Sequence, residues 1–299
     1  MTYAIDDAEA PLQPLYGMRV VTVALNIPGP VAVARLVEMG AQATTVLPPS
    51  GDPMRTYRAE WFEELHRGQE VVTLDLKDRG GRDRMEALLR AADVLVTSSR
   101  PAALRRLGLD HEALRLRHPA LCQVDIVGYP GPAAEHAGHD LTYQAVHGLV
   151  RGEATPPTLS VDLMGAERAT AEVLAALLER ARTGVGVRRE VVLSDMAAVL
   201  ALPVRYELTT PGGLLGGGLP FYAVYRACQG RVALAALEPH FVRALIGALA
   251  ADGFTPGGEP LDAEDLTHQL LGDVFAQRSA SDWETWAQER GIPLVAVAQ

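Results

Sequence analysis

The sequence predicts an α/β protein: a Rossmann-like parallel sheet domain with helices on both faces, followed by a smaller α+β domain. Three observations lead there. Short β-branched and apolar runs at 18–25, 43–47, 71–76, 94–97, 121–127 and 189–193 alternate with amphipathic stretches. That is the pattern of strands buried on both faces and joined by crossover helices. The chain of 299 residues exceeds one mean domain. Its texture also changes abruptly at 211–220, where Gly212, Gly213, Gly216, Gly217 and Gly218 crowd together.

The elements follow in order. Residues 1–14 read as a loose, acidic N-terminal arm. The first strand ends at the turn Asn26-Ile27-Pro28-Gly29-Pro30, and helical spacing over 31–39 stops at Gly40. A second strand closes at Pro48-Pro49-Ser50-Gly51-Asp52. Then come the third strand, a helix over 82–92, the strands at 94–97 and 121–127, a long Ala/Leu helix over 165–182 and a last strand. A large domain is thus expected over 1–210 and a small one over 211–299. The glycine stretch reads as a flexible linker or active-site loop. Beyond it, 222–226 and 231–237 flank Cys228-Gln229-Gly230 as paired strands, with helices at 239–251, 266–277 and 281–289.

Hydrophobic residues make up 48% of the chain and charged residues 21%, as in soluble globular proteins. The net charge of −10 weighs against non-specific binding to nucleic acid or anionic membrane, but permits a local basic pocket. Residues 1–14 lack the basic start and apolar stretch of a leader, and no run is long enough to span a bilayer. Cys122 and Cys228 lack metal-type spacing, so two buried, reduced thiols in a cytoplasmic protein are expected. Lys77, the single lysine, reads as the bias of a GC-rich bacterial genome.

Three positions stand out for chemistry. His139 lies in Gly138-His139-Asp140, Asp162 stands before the long helix, and Glu238 precedes Pro239 at the end of an apolar run. One imidazole and two carboxylates suffice for opposed acid and base groups around a small substrate. Each has a plainer reading: His139 as a cap or core hydrogen-bonding residue, Asp162 as an N-cap, Glu238 as a helix-start charge. The glycine stretch lacks the Gly-Lys-Ser/Thr ending of a phosphate loop.

Several blocks, in order, resemble the family III CoA-transferases. They include Leu15-Tyr16-Gly17-Met18-Arg19-Val20-Val21, Pro28-Gly29-Pro30, Leu74-Asp75-Leu76-Lys77, Arg100-Pro101 and Arg106-Leu107-Gly108-Leu109. The α-methylacyl-CoA racemase branch is most similar, through Gly138-His139-Asp140-Leu141-Thr142-Tyr143, Val161-Asp162, Gly216-Gly217-Gly218-Leu219-Pro220 and Glu238-Pro239-His240-Phe241.

The resemblance implies an acyl-CoA thioester enzyme that epimerises the α-carbon of a 2-methylacyl-CoA. His139 and Asp162 would exchange the proton on opposite faces, and Glu238 would hydrogen-bond His139 and fix its tautomer. Backbone N–H groups near Asp162 would receive the enolate oxygen. The alternatives are a CoA-transferase with Asp162 as nucleophile and a non-catalytic acyl-CoA-binding homologue. Asp140, Tyr143, Gly216, Gly217 and Gly218 are candidate substrate-binding residues. Arg100, Arg67 and Arg106, with Arg55 behind them, are candidates for the phosphates of coenzyme A. Coenzyme A enters as part of the substrate; no covalent cofactor, metal or nucleic-acid partner is expected, and the assembly implied is a homodimer. Thr45 and Leu47 depart from the family's usual charged residues. The chain's return to the large domain after Pro293 is expected to be absent or very short.

Overall fold

The computed structural model describes residues 13–254 and 262–298, so most of the N-terminal arm lies outside the described residues. The chain divides into two compact units, Met1–Ala201 and Leu202–Gln299.

In the first unit, β1 (Arg19–Thr22), β2 (Gln42–Leu47), β3 (Glu70–Thr73), β4 (Val94–Thr97), β5 (Cys122–Val127) and β6 (Arg188–Val192) form one sheet. Every neighbouring pair is parallel, and the order is β3-β2-β1-β4-β5-β6. The expected fold class is therefore the one observed. The strand residues explain it. In β4, Val94 and Val96 join one core while Leu95 joins the other, so alternate side chains are apolar on both faces. One face is covered by α1 (Pro28–Glu38) and α8 (Ser160–Thr183), through Val33, Leu36, Ala166, Ala169 and Val173. The opposite face is covered by α4 (Arg79–Ala91), α5 (Pro101–Leu107) and α6 (His111–Arg117), through Met85, Leu89, Leu104 and Leu114. Each fully buried Val or Leu contributes about 1.5–3 kcal/mol.

Between β2 and β3 the chain forms α2 (Pro53–Tyr57) and α3 (Ala59–Leu65), which sequence spacing did not show. Both are too short for a sustained apolar stripe; α2 depends on its ends, with Asp52 accepting the Met54 N–H (2.9 Å) and Pro53 starting the first turn. The helix α7 (Asp140–Val146) follows the β5 crossover, and α9 (Leu193–Leu200) follows β6.

The second unit begins with α10 (Leu202–Arg205). Strands β7 (Tyr222–Arg226) and β8 (Arg231–Ala235) pair antiparallel, as expected, and β9 (Leu294–Ala296) adds a third strand against β8. At three residues, β9 is too short to show a period in sequence. The helices α11 (Pro239–Ala251), α12 (His268–Phe275) and α13 (Ala280–Gln288) close over this sheet. The ring of Trp283 packs edge-on to Phe275 (5.2 Å) and Trp286 (5.1 Å) at the centre of the unit.

Two expectations are corrected here. The glycine stretch is wound up rather than flexible: Gly213 and Gly216 donate to Thr210 and Gly213 carbonyls (2.8 and 2.9 Å), and Gly218 returns to Gly213 (2.9 Å). A Cβ at Gly216 would stand 1.8 Å from the Thr210 carbonyl oxygen, so only glycine fits. Cys122 is buried as expected, but Cys228 is exposed in the turn between β7 and β8. Alkylation of the native protein should therefore modify one thiol, and Cys122 should react only on unfolding. Mass spectrometry finding both thiols modified at equal rates would contradict this packing. Among the described residues, no helix is long and apolar enough to cross a membrane.

Candidate active site

In a parallel sheet, the crevice outside the carboxyl ends of the strands is open where strand order reverses. Here that point lies between β1 and β4. A cavity of about 210 Å³ occupies it, lined by Asn26 after β1, Ser99 and Arg100 after β4, Gly128 after β5, and His136, His139, Tyr143 and Asp162. The site backbone is tied down locally. The Leu25 N–H donates to Ser98 Oγ (3.1 Å), and the Asn26 N–H donates to the Asp52 carboxylate (3.1 and 3.3 Å).

Asp162 does not precede the long helix. It sits in the first turn of α8, whose N-cap residue is Leu159, so its side chain is not the cap. The acceptor comes from elsewhere. One carboxylate oxygen of Asp140 takes the N–H groups of both Val161 (2.8 Å) and Asp162 (3.0 Å). This corrects the oxyanion expectation: those two N–H groups are already bonded and are not available to an enolate. Asp162 itself is pushed up to about 7, first by burial and then by the neighbouring Asp140 charge.

His139 is the N-cap residue of α7, held through its backbone. Its N–H donates to Thr142 Oγ1 (3.0 Å), and the Thr142 hydroxyl donates back to the His139 carbonyl (2.7 Å). His139 is exposed and is one of the residues that line the cavity. Tyr143 lines the cavity and is 3% exposed. Its ring is gripped between glycines, since a Cβ at Gly128 would stand 2.4 Å from its hydroxyl and one at Gly138 2.6 Å from its ring. Burial pushes its phenol up to about 12, with Tyr129 and Asp162 adding to the effect.

The cavity thus gathers His139, Asp162, Tyr143 and Arg100, while Asp140 reaches Asp162 through its backbone. Arg67 and Arg106 are exposed and do not line it, and Arg55 lies over the Phe62 ring (5.2 Å). The remaining candidates belong to the second unit. Glu238 is the exposed N-cap residue of α11, its carbonyl accepting the N–H groups of Phe241 (2.9 Å) and Val242 (3.1 Å). Gly216 and Gly218 lie in the wound segment, where the Gly217 carbonyl meets His268 Nε2 (3.0 Å).

Sequence reasoning missed Asn26, Ser99, His136 and Lys77. Lys77 lines a mostly apolar cavity of about 420 Å³ with Val23, Pro48, Leu74 and Ser99; its being the single lysine and its place in the block Leu74-Asp75-Leu76-Lys77 were the hints. A third cavity of about 390 Å³ holds the buried Asp125. That carboxylate is already bonded to Thr97 (3.0 Å), Gln123 (2.8 Å) and Arg188 (2.6 Å), so it braces β4, β5 and β6.

The profile of CoA-transferase family III matches residues 15–299. The chain belongs to this family. Its named members are enzymes, both CoA-transferases and α-methylacyl-CoA racemases. A Mycobacterium tuberculosis protein named as a probable fatty acyl-CoA transferase is 34% identical over 64% of this chain, and the chain spans 53% of that relative's length. Human α-methylacyl-CoA racemase is 29% identical, with 90% of this chain and 74% of the racemase covered. The crystal structure of the mycobacterial protein Rv3272 superposes with a TM-score of 0.81 at 26% identity, covering 97% of this chain and 86% of that one. The six-stranded sheet and the small antiparallel sheet are thus the fold of a family III CoA-transferase.

Proposed function

We propose that this family III protein epimerises the α-carbon of a 2-methylacyl-CoA by two-base proton transfer through an enolate. One observation carries the proposal: His139 and Asp162 line the same small cavity, and Asp162 is held near 7. An acid–base group works best when its pKa lies close to the working pH, because both protonation states are then accessible. One group removes the α-proton, the thioester carbonyl takes the electron pair as an enolate, and the other group returns a proton to the opposite face. Asn26 and Ser99 are donors in the cavity that would meet the enolate oxygen, since the N–H groups of Val161 and Asp162 are bonded to Asp140.

Coenzyme A would come as part of the substrate. The apolar cavity with Lys77 suits its adenosine end, and Arg100, the N-cap residue of α5, is the candidate for its phosphates. Glu238 and the glycines at 216–218 are kept on family resemblance alone, as is a homodimer.

A second reading has support from a relative named as a probable fatty acyl-CoA transferase, the mycobacterial protein Rv3272. In it the Asp162 carboxylate attacks the thioester carbonyl and expels the CoA thiolate, leaving a mixed anhydride. The thiolate then attacks the aspartyl carbonyl, releasing the acyl group as its carboxylate and leaving an aspartyl-CoA thioester. A second carboxylic acid attacks that thioester, and the freed thiolate then cleaves the new anhydride at the acceptor's carbonyl, giving its CoA thioester and freeing Asp162. Incubation of a chiral 2-methylacyl-CoA in heavy water separates the two. Epimerisation predicts deuterium at the α-carbon with loss of optical purity. Retention of the α-proton, with a hydroxylamine-sensitive adduct on Asp162, would replace it with the transferase reading.

A further inference from the structure

The N–H groups at the start of an α-helix have no partner within it. At α8 the N-cap residue is Leu159, which offers no side-chain acceptor. Asp140, on α7, supplies one from more than twenty residues away: a single oxygen accepts both Val161 and Asp162 N–H groups. Its other oxygen accepts the side-chain amide of Gln144 at 2.5 Å. Gln144 lies one turn further along α7, and the same amide nitrogen is 3.4 Å from the Thr158 carbonyl, just before α8 begins. Asp140 is 3% and Gln144 4% exposed, so this link is closed to water. Inside a protein such a link is strong when every group is bonded and costly when one is not.

We propose that Gln144 is a positioning residue for Asp162, acting through Asp140: its amide holds Asp140 in the orientation that caps α8 and keeps a carboxylate beside Asp162. The inference rests on Asp162 being the reacting group, a premise shared by both readings of the function. Asp140 does not itself line the cavity; both of its carboxylate oxygens are engaged within the fold. The other titratable or charged groups facing the Asp162 cavity are His139 and Tyr143 from α7, His136 from the preceding turn and Arg100 from α5. Of these groups and Asp140, only Asp140 acts alongside burial in raising Asp162.

The test titrates Asp162 directly, by carbon-13 NMR of carboxyl-labelled aspartate, with Asp162→Asn assigning the resonance. Asp140→Asn keeps an oxygen for the two N–H groups; it removes the charge and turns the atom facing Gln144 from an acceptor into a donor, which Gln144 can meet by turning its amide oxygen toward it. In that variant the Asp162 carboxyl should titrate at a lower pH than in the wild type, toward its ordinary 3.8. Gln144→Leu should lower kcat about 100-fold while KM stays within about twofold, the pattern of a misplaced reacting group. Gln144→Glu should restore activity at acid pH, where the protonated acid still donates to Asp140, and lose it as pH rises and two carboxylates face each other. Melting temperatures confirm that each variant is folded. The proposal is overturned if Asp162 titrates at the same pH in Asp140→Asn and wild type. It is equally overturned if Gln144→Leu keeps the wild-type kcat, or if Gln144→Glu keeps the wild-type pH profile. The titration needs no substrate, so a shifted Asp162 in a protein that neither exchanges nor transfers would uphold this link and remove the proposed function.

Discussion

Asp162→Asn is expected to lower the rate of α-proton exchange about 10²–10⁴-fold, the usual contribution of a general acid–base group, and at the same time to make the protein more stable. The first half follows from its place in the cavity with His139. The second follows from burial. In the unfolded chain this carboxyl titrates near 3.8, and in the folded one near 7. Between those values the folded state holds a proton that the unfolded state has released. Stability therefore falls as pH rises from about 4 to 7, and the whole penalty is present above 7. Each pKa unit is worth about 1.4 kcal/mol, and partial access of the cavity to solvent reduces the sum to on the order of 2–4 kcal/mol. Asparagine carries no such penalty. Urea unfolding at pH 8 should show the variant more stable than the wild type by that amount, with the difference fading toward pH 4. Full exchange activity in the variant would remove Asp162 from the chemistry. A variant less stable than wild type at pH 8 would show that the cavity imposes no burial cost on the carboxylate.

The second large effect is expected at Gly128. A methyl group there would stand 2.4 Å from the Tyr143 hydroxyl oxygen but 3.3 and 3.5 Å from the nearest ring carbons. Gly128→Ala should therefore destabilise the protein by about 1–3 kcal/mol through overpacking. It should also lower turnover about 100-fold, because the displaced ring shares the cavity with His139 and Asp162. Removing the oxygen removes the clash, so in a Tyr143→Phe background the same substitution should be nearly neutral. The double-mutant cycle should give a coupling of about 1–2 kcal/mol. Gly138 supplies the control: its Cβ would meet ring carbons at 2.6 and 2.8 Å as well as the hydroxyl at 2.6 Å, so Tyr143→Phe should not rescue Gly138→Ala. Equal cost of Gly128→Ala in both backgrounds would mean that close approach to the hydroxyl is not why glycine stands there.

Much of the fold was legible because its causes are local. A run such as Val94-Leu95-Val96-Thr97 is apolar on both faces whatever lies around it, and reads as an interior parallel strand. The cap-and-proline entry of α11 and the spacing of α1 are equally self-contained. The short helices α2, α3, α5 and α6 were not legible, since five to seven residues cannot show a stripe. The glycine stretch was misread for a related reason. Composition reports conformational freedom, but carbonyls at 207–213 close around Gly213, Gly216 and Gly218.

The candidate site divides the same way. Residue types and their ordered blocks were enough to single out His139 and Asp162 and to reveal the family. Neither the order of residues nor their identity shows that Asp140 reaches forward to cap α8, that Asp162 lies inside the helix, or that its N–H is already bonded. Nor do they show Asn26, Ser99 and His136 around the same cavity, or Lys77 in the next one. By itself the sequence determined the parallel α/β sheet, its following α+β unit and the chemical groups on offer, because hydrophobic period and side-chain type are properties of short segments. The tertiary structure alone decided the state of those groups. Desolvation and through-space charge depend on what the fold brings within a few ångströms, and at Asp162 that is a neighbour from another helix.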